Sequence, residues 1–346
     1  MGSFGMADPR LRAHLAELGA TDQQLAGLGD DELIGLAGDL QLRAGLDLGL
    51  DGVARAVGCD VERIRAVYEG LGLRVDELAG FGEGDVVLTS LIVGDTSGMV
   101  EAVGPQLLRV AGSALARLAE AAVAAYVQDV EHRDDATRDL IAEADQNALA
   151  SSLVLLLGGA LPTVFRHHMW TAVRRQRLAQ SGVAEPEIVR IAVGFVDLVG
   201  FTSISRVAKP SELIATIEGF ERHAFEIAHR HGGRIVKSIG DEVMIAANDA
   251  RTVAGIALEL IGAVSDDPSV APRAGVSAGD VLFRLGDYYG PVVNLASRLT
   301  AEAVPGEVLT DQPMGASSEV VVQPAGRRIL KGFAEPVTVW SVEPTG

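Results

Sequence analysis

Aromatic side chains are scarce, at 4% of the 346 residues. Alanine and leucine must therefore fill most of the interior. Cysteine is scarcer still: Cys59 stands alone, which excludes an intrachain disulfide and a zinc site built on paired thiolates. A reducing cytoplasm is the simplest compartment for such a chain. Positive charge is also short, with 29 Lys and Arg against 47 Asp and Glu, a formal net charge of -18. A broad grip on nucleic acid or on an anionic membrane surface needs many local cations, so both partners are disfavoured. An anionic substrate must meet a focused positive pocket or arrive with metal ions. The opening residues, Met-Gly-Ser-Phe-Gly-Met, lack the cationic and apolar segments of a secretory signal.

What is abundant is helical pattern. Two domains of ordinary size suit this length. From about Pro9 to His168 leucine and alanine recur at helical spacing with little β-branched alternation. Asp30 or Asp31, Asp51 and Asp60 stand where helix caps are expected, and Pro105 to His132 reads as one long helix with a wet face at Arg109, Arg117 and Glu120. The uncharged run Gln146–Phe165 has about the length of a membrane span. It opens on Gln146, Asn147, Ser151 and Ser152 and carries Gly158, Gly159 and Pro162. A buried helix pair in a soluble domain, without stable membrane insertion, is therefore the expectation.

The expected organisation is an all-α regulatory domain over 1–165, a linker helix and loop over 166–187 (RHHMWTAVRRQRLA, then a loop around Pro186), and an α+β domain over 188–346. In the last, IVRIAVGFVD, SELIATIEGFERHAFEIAHRHG, GRIVKSIGDEVMIAAN, TVAGIALELIGAV and RAGVSAGDVL alternate as strand, helix, hairpin, helix and strand. That order is the βαββαβ plan of a ferredoxin-like sheet. A helix from Pro291 to about Glu302 and short strands at VLT and VTVWSVE extend it.

The first of these strands is almost continuously apolar, as a strand buried on both faces should be, and ends in Asp197. Beyond it Gly200 permits a tight turn, so the amides around Gly200, Phe201 and Thr202 can face phosphate oxygens. Asp241 lies in Ile239-Gly240-Asp241-Glu242, the turn between two apolar strands. In a ferredoxin-like sheet these two places are neighbours. Two carboxylates beside an amide-lined loop suit a pair of divalent ions bridging a triphosphate. Each alone reads as an ordinary cap or turn aspartate; the joint pattern is what carries meaning.

The segments GFVDLVGFTSIS, KSIGDEVMIA and GDYYGPVVNLASRL resemble, in order and spacing, the signature segments of class III adenylyl cyclases over about Val189 to Val342. The resemblance implies that Asp197 and Asp241 hold two Mg²⁺ or Mn²⁺ ions, that Lys237 and Asp287 read adenine, and that Asn294 and Arg298 complete the site. Lys331, in LKGF, matches a lysine that binds the terminal phosphates. It also implies a homodimer, with the metal and adenine residues from one chain and the Asn/Arg pair from the other, and conversion of ATP to cyclic AMP.

Elementary chemistry agrees. Adenine offers an acceptor at N1 and a donor at its amine, which match an ionised lysine and carboxylate; guanine reverses both. A guanylyl cyclase and a catalytically silent nucleotide-binding sensor remain the alternatives. Asn294 and Arg298, four residues apart after Pro291, share one helix face.

The helical half resembles, in layout, the regulatory domains of soluble actinobacterial cyclases, including pH-responsive ones. It is expected to inhibit through the 166–179 segment, with His167 and His168 as candidate proton sensors. Two further readings of this half are a helix-turn-helix in VARAVGCDVERIRAVYEGLGL and a cavity for a fatty acid or similar apolar ligand.

Overall fold

The computed structural model describes residues 7–94, 99–131, 139–179, 187–201, 205, 206, 208–264, 271–314 and 320–345. The chain divides into two compact units, Met1–His168 and Met169–Gly346.

The first unit is helical. It comprises α1 (Pro9–Glu17), α2 (Asp22–Leu25), α3 (Asp30–Arg43), α4 (Leu50–Val57), α5 (Val61–Gly70), a 3₁₀ turn at Val75–Glu77, α6 (Glu83–Val93) and α7 (Met99–Glu131). The helix α8 (Leu140–Ala179) begins in this unit and ends in the second. Of the expected caps only Asp60 occupies a cap position, before α5; α3 and α4 are capped by the extended backbones of Gly29 and Gly49. Asp30, Asp31 and Asp51 instead fall in first turns, where a carboxylate complements the helix dipole. Leu11, Leu15, Leu33 and Ala144 are fully buried in one cluster; Val53, Ile64, Tyr68 and Phe81 form another. The α4–α5 pair supplies two helices joined at Gly58, whose φ of 74° closes the turn. The hollow beside that turn is lined by Asp51, Arg55, Asp60 and Arg63. That charged lining gives no support to an apolar ligand cavity there.

The expected buried helix pair over 146–165 is not formed. α8 runs unbroken through Gly158, Gly159 and Pro162, because no neighbour forces a turn there. Its side chains over 153–160 are all exposed, with Leu156 at 73%. Among the described residues this is the one helix long and apolar enough to cross a membrane by composition; its most apolar window has mean hydropathy 1.9 and no burial.

The second unit is built on β1 (Ile188–Val199), α9 (Pro210–Arg230), β2 (Arg234–Ile239), β3 (Glu242–Ala247), α10 (Ala250–Val264) and β4 (Ala271–Arg284), the expected βαββαβ order. The strands lie as β2-β3-β1-β4, all antiparallel. α9 and α10 cover one face through Phe220, Ala224, Val253, Ile256 and Leu260. Sequence reasoning did not foresee two further strands, β5 (Asp287–Tyr289), which folds back on β4, and β7 (Val320–Arg328); β6 (Val308–Thr310) and β8 (Val337–Pro344) fall where expected.

On the opposite face lies α11 (Pro291–Glu302), which buries Ala296, Leu299 and Thr300. It rests so close on β4 that a Cβ at Gly275 would stand 2.2 Å from the Thr300 amide nitrogen. Only glycine admits that approach. Thr300 Oγ1 also donates to the Phe195 carbonyl at 3.2 Å.

Candidate functional site

The end of β1 and the β2–β3 turn are joined by backbone: the Leu198 N–H donates to the Asp241 carbonyl at 3.2 Å. Gly240, with φ 63°, makes that turn possible. Asp197 and Asp241 are thereby held side by side, as the topology predicts. Strand register adds two groups that sequence reasoning missed. Glu242 lies opposite Asp197 on β3, and Arg273 lies opposite Asp197 on β4. Arg273 donates to Asp197 Oδ2 from Nε at 3.1 Å and from Nη2 at 3.0 Å, and from Nη1 to the Ala301 carbonyl at 2.9 Å. Only the antiparallel alignment of β1 with β4 identifies this arginine, and residue spacing does not reveal alignment.

Three carboxylates within this turn repel one another. Burial, reinforced by the Asp197 charge, raises the Asp241 carboxyl above its ordinary range. Burial and then the charges of Asp197 and Asp241 push Glu242 up to about 7. A hard divalent cation would relieve both effects, and carboxylate oxygen is the donor type that Mg²⁺ and Mn²⁺ take. Among the described residues no group of three or more His, Cys, Asp or Glu forms a closed metal cage.

A second group lies at β2 and β5. Lys237 Nζ and Asp287 Oδ2 are 2.5 Å apart, and Asp287 Oδ1 accepts the Tyr288 N–H at 2.8 Å. Both side chains are partly buried, so lysine and carboxylate are fixed side by side. A third group, Asn294 and Arg298, stands exposed on the outer face of α11. Among the described residues neither side chain has a hydrogen-bond or ion-pair partner.

The remaining expected residues differ. Gly200 turns the chain after β1 with φ 91°. Phe201 is 8% exposed and packs in the core beneath α9 and α10, so its ring cannot bind substrate and only its amide remains available. Thr202 lies outside the described residues. Lys331 is exposed in the turn between β7 and β8, with no tie to the other groups in this fold. His167 and His168 are exposed in the interior of α8.

The second unit matches a family model described as the adenylate and guanylate cyclase catalytic domain over residues 183–342. Along nearly its whole length the chain is similar to an uncharacterized protein of Mycobacterium tuberculosis, 32% identical over 98% of this chain and 92% of that one. An adenylate cyclase of Streptomyces coelicolor is 33% identical over 75% of this chain and 68% of its own. A pH-sensitive adenylate cyclase of Mycobacterium tuberculosis is 30% identical over 74% and 66%. Similarity of this extent, on a sheet carrying these paired carboxylates, leads to one assignment: the chain belongs to the adenylate and guanylate cyclase family.

Proposed function

We propose that this protein is an adenylyl cyclase, converting ATP to 3′,5′-cyclic AMP and pyrophosphate at sites completed by a second copy of the chain. The observation that carries the choice of nucleotide is the Lys237–Asp287 pair, fixed at 2.5 Å. Lysine can only donate and the carboxylate can only accept, which complements adenine and opposes guanine. Relatives named adenylate cyclase support the same choice.

Asp197 and Asp241 would hold two Mg²⁺ or Mn²⁺ ions, with the amides around Gly200 receiving phosphate oxygens. Such ions lower the charge on the triphosphate and on the entering and leaving oxygens. Arg273 donates to Asp197 and to the Ala301 carbonyl, and so holds that carboxylate where an ion would be bound. The reaction is an in-line attack of the ribose 3′-oxygen on the α-phosphorus, with pyrophosphate departing and no covalent enzyme intermediate. Asn294 fixes the ribose and Arg298 offsets charge developing at the α-phosphate. Lys331 reaches the terminal phosphates from its turn.

The unpartnered state of Asn294 and Arg298 supports a split site. Each chain would lend this pair to the other, so a homodimer carries two complete centres. ATP supply places the catalytic unit in the cytoplasm. The helical unit is the regulatory, autoinhibitory part, and a pH-sensitive relative makes protons a reasonable signal, with His167 and His168 as sensors.

One assay tests the reading: purified protein with ATP or GTP and Mg²⁺ or Mn²⁺ across pH 5 to 8, with Asp241→Ala as control. Cyclic AMP formed in excess of cyclic GMP is the expected result. Nucleotide binding without cyclic product under every condition, from dimeric protein, would establish the silent sensor instead.

A further inference from the structure

Within the second unit a cavity of about 410 Å³ lies between the end of α8 and the sheet, at the end remote from Asp197. That volume is within the range of small-molecule sites. Its apolar wall is Val189, Ile191, Ala246 and Phe283 from the sheet, closed by Ala172 and Val173 of α8. Two guanidinium groups enter it, Arg175 from α8 and Arg234 from the start of β2. Among the described residues no acidic side chain lines it. In a chain of net charge -18 two arginines gathered at one hollow stand out.

The two arginines are differently placed. Arg234 is anchored: its guanidinium lies 4.9 Å from the Tyr288 ring centroid and donates to the Tyr288 hydroxyl. This contact orients the cation without placing a carboxylate on it. Arg175 has no carboxylate partner either, and its charged form is disfavoured first by burial and then by the charge of Arg234. Like charges held together beside a cavity store an unfavourable interaction that an anion removes. The aromatic wall adds shape. Phe283 and Tyr288, both lining the hollow, have ring centroids 5.2 Å apart and are tilted by 43°. Gln176 and Asn248 supply neutral polar groups at its margin.

We propose that this cavity binds a small organic anion, a carboxylate on a planar apolar body, with the carboxylate between Arg175 and Arg234 and the body against Phe283 and Ile191. A guanidinium meets a carboxylate through two parallel hydrogen bonds, a geometry that an alcohol cannot reproduce. The site is separate from Asp197 and Asp241 at the other end of β1; at Gly286 and Tyr288 it borders Asp287, which does not line it. Its occupant bridges α8 to the sheet directly.

The test is calorimetric titration of 2-naphthoate into the full-length protein, read without nucleotide or turnover, so that it stands whether or not the protein makes cyclic AMP. Saturable binding is expected, with 2-naphthalenemethanol, the uncharged analogue, at least about tenfold weaker. Arg175→Gln and Arg234→Gln should each weaken naphthoate about tenfold. Ala172→Trp, which fills the hollow and leaves both arginines in place, should abolish binding. Arg175 is exposed on a helix, so its variant should melt with the parent and isolates the charge effect even if the Arg234 variant folds poorly. Naphthoate and the alcohol binding equally, naphthoate binding unchanged in Arg175→Gln and Ala172→Trp, or no saturable binding at millimolar naphthoate would each overturn the proposal.

Discussion

The inner end of β1 and the outer face of α11 handle charge in opposite ways. On the sheet two carboxylates have a cation of the same chain beside them: Asp197 has Arg273, and Asp287 has Lys237. On α11, Asn294 and Arg298 face outward with nothing against them. The first arrangement pairs charges within one fold, while Asp241 and Glu242 stay crowded by neighbouring carboxylates. The second leaves two donors facing solvent. Under the proposed function, the first would read the substrate within one copy and the second would serve the centre of another.

The hardest blow to that contrast comes at the metal carboxylates. Asp241→Ala should lower cyclic AMP formation by about 10³-fold or more while leaving the fold intact, since ion placement is lost at every site. Retention of more than a tenth of the parent rate would remove Asp241 from the centre. The split itself is tested by mixing. Lys237→Ala and Arg298→Ala should each lose about 100-fold or more alone, yet a re-equilibrated equimolar mixture should recover about a quarter of parental activity, because half the pairs are mixed and each has one intact site. No recovery from mixed dimers would show the pairs acting within one chain. Asp287→Ala, which removes only the acceptor for the adenine amine, should cut the preference for ATP over GTP by about 10–100-fold in kcat/KM.

Two smaller effects sharpen the comparison from the side of stability. Leu33→Ala, at a fully buried position, should cost about 2–5 kcal/mol, whereas Leu156→Ala, 73% exposed on α8, should stay within about 0.5 kcal/mol in denaturant melts. A large cost at Leu156 would mean that something outside the chain covers α8. The last concerns Glu242, lifted by burial and the neighbouring carboxylates from its ordinary 4.5 to about 7. Between those values the folded protein keeps a proton that the unfolded chain has lost, so this group's contribution to stability falls as pH rises toward 7 and is flat above. In EDTA, Glu242→Gln should therefore match the parent at pH 5 and melt about 2–4 °C higher at pH 8. Equal melting at both would show that Glu242 titrates normally.

The sequence made much of the second unit legible because strand and turn signals there are local. Asp197 ends an apolar run, Gly240-Asp241 sits between two, and Pro291 opens a helix that places Asn294 and Arg298 on one face. What escaped is long-range. Arg273 and Glu242 become site residues only through their alignment with Asp197 across neighbouring strands. The fate of Phe201 also depends on tertiary packing, since an aromatic after a glycine turn serves equally in core or cleft. In the first unit Gly158, Gly159 and Pro162 read locally as breaks, yet α8 continues through them, with no described residue packed against either glycine.

The contact between Gly275 and Thr300 has a mechanical consequence. Because α11 is seated on β4 across a glycine, any side chain added at position 275 would push the donors on its outer face away from the carboxylates on the sheet. If two copies pair as proposed, a shift at that one contact would displace the donor helix in both centres at once.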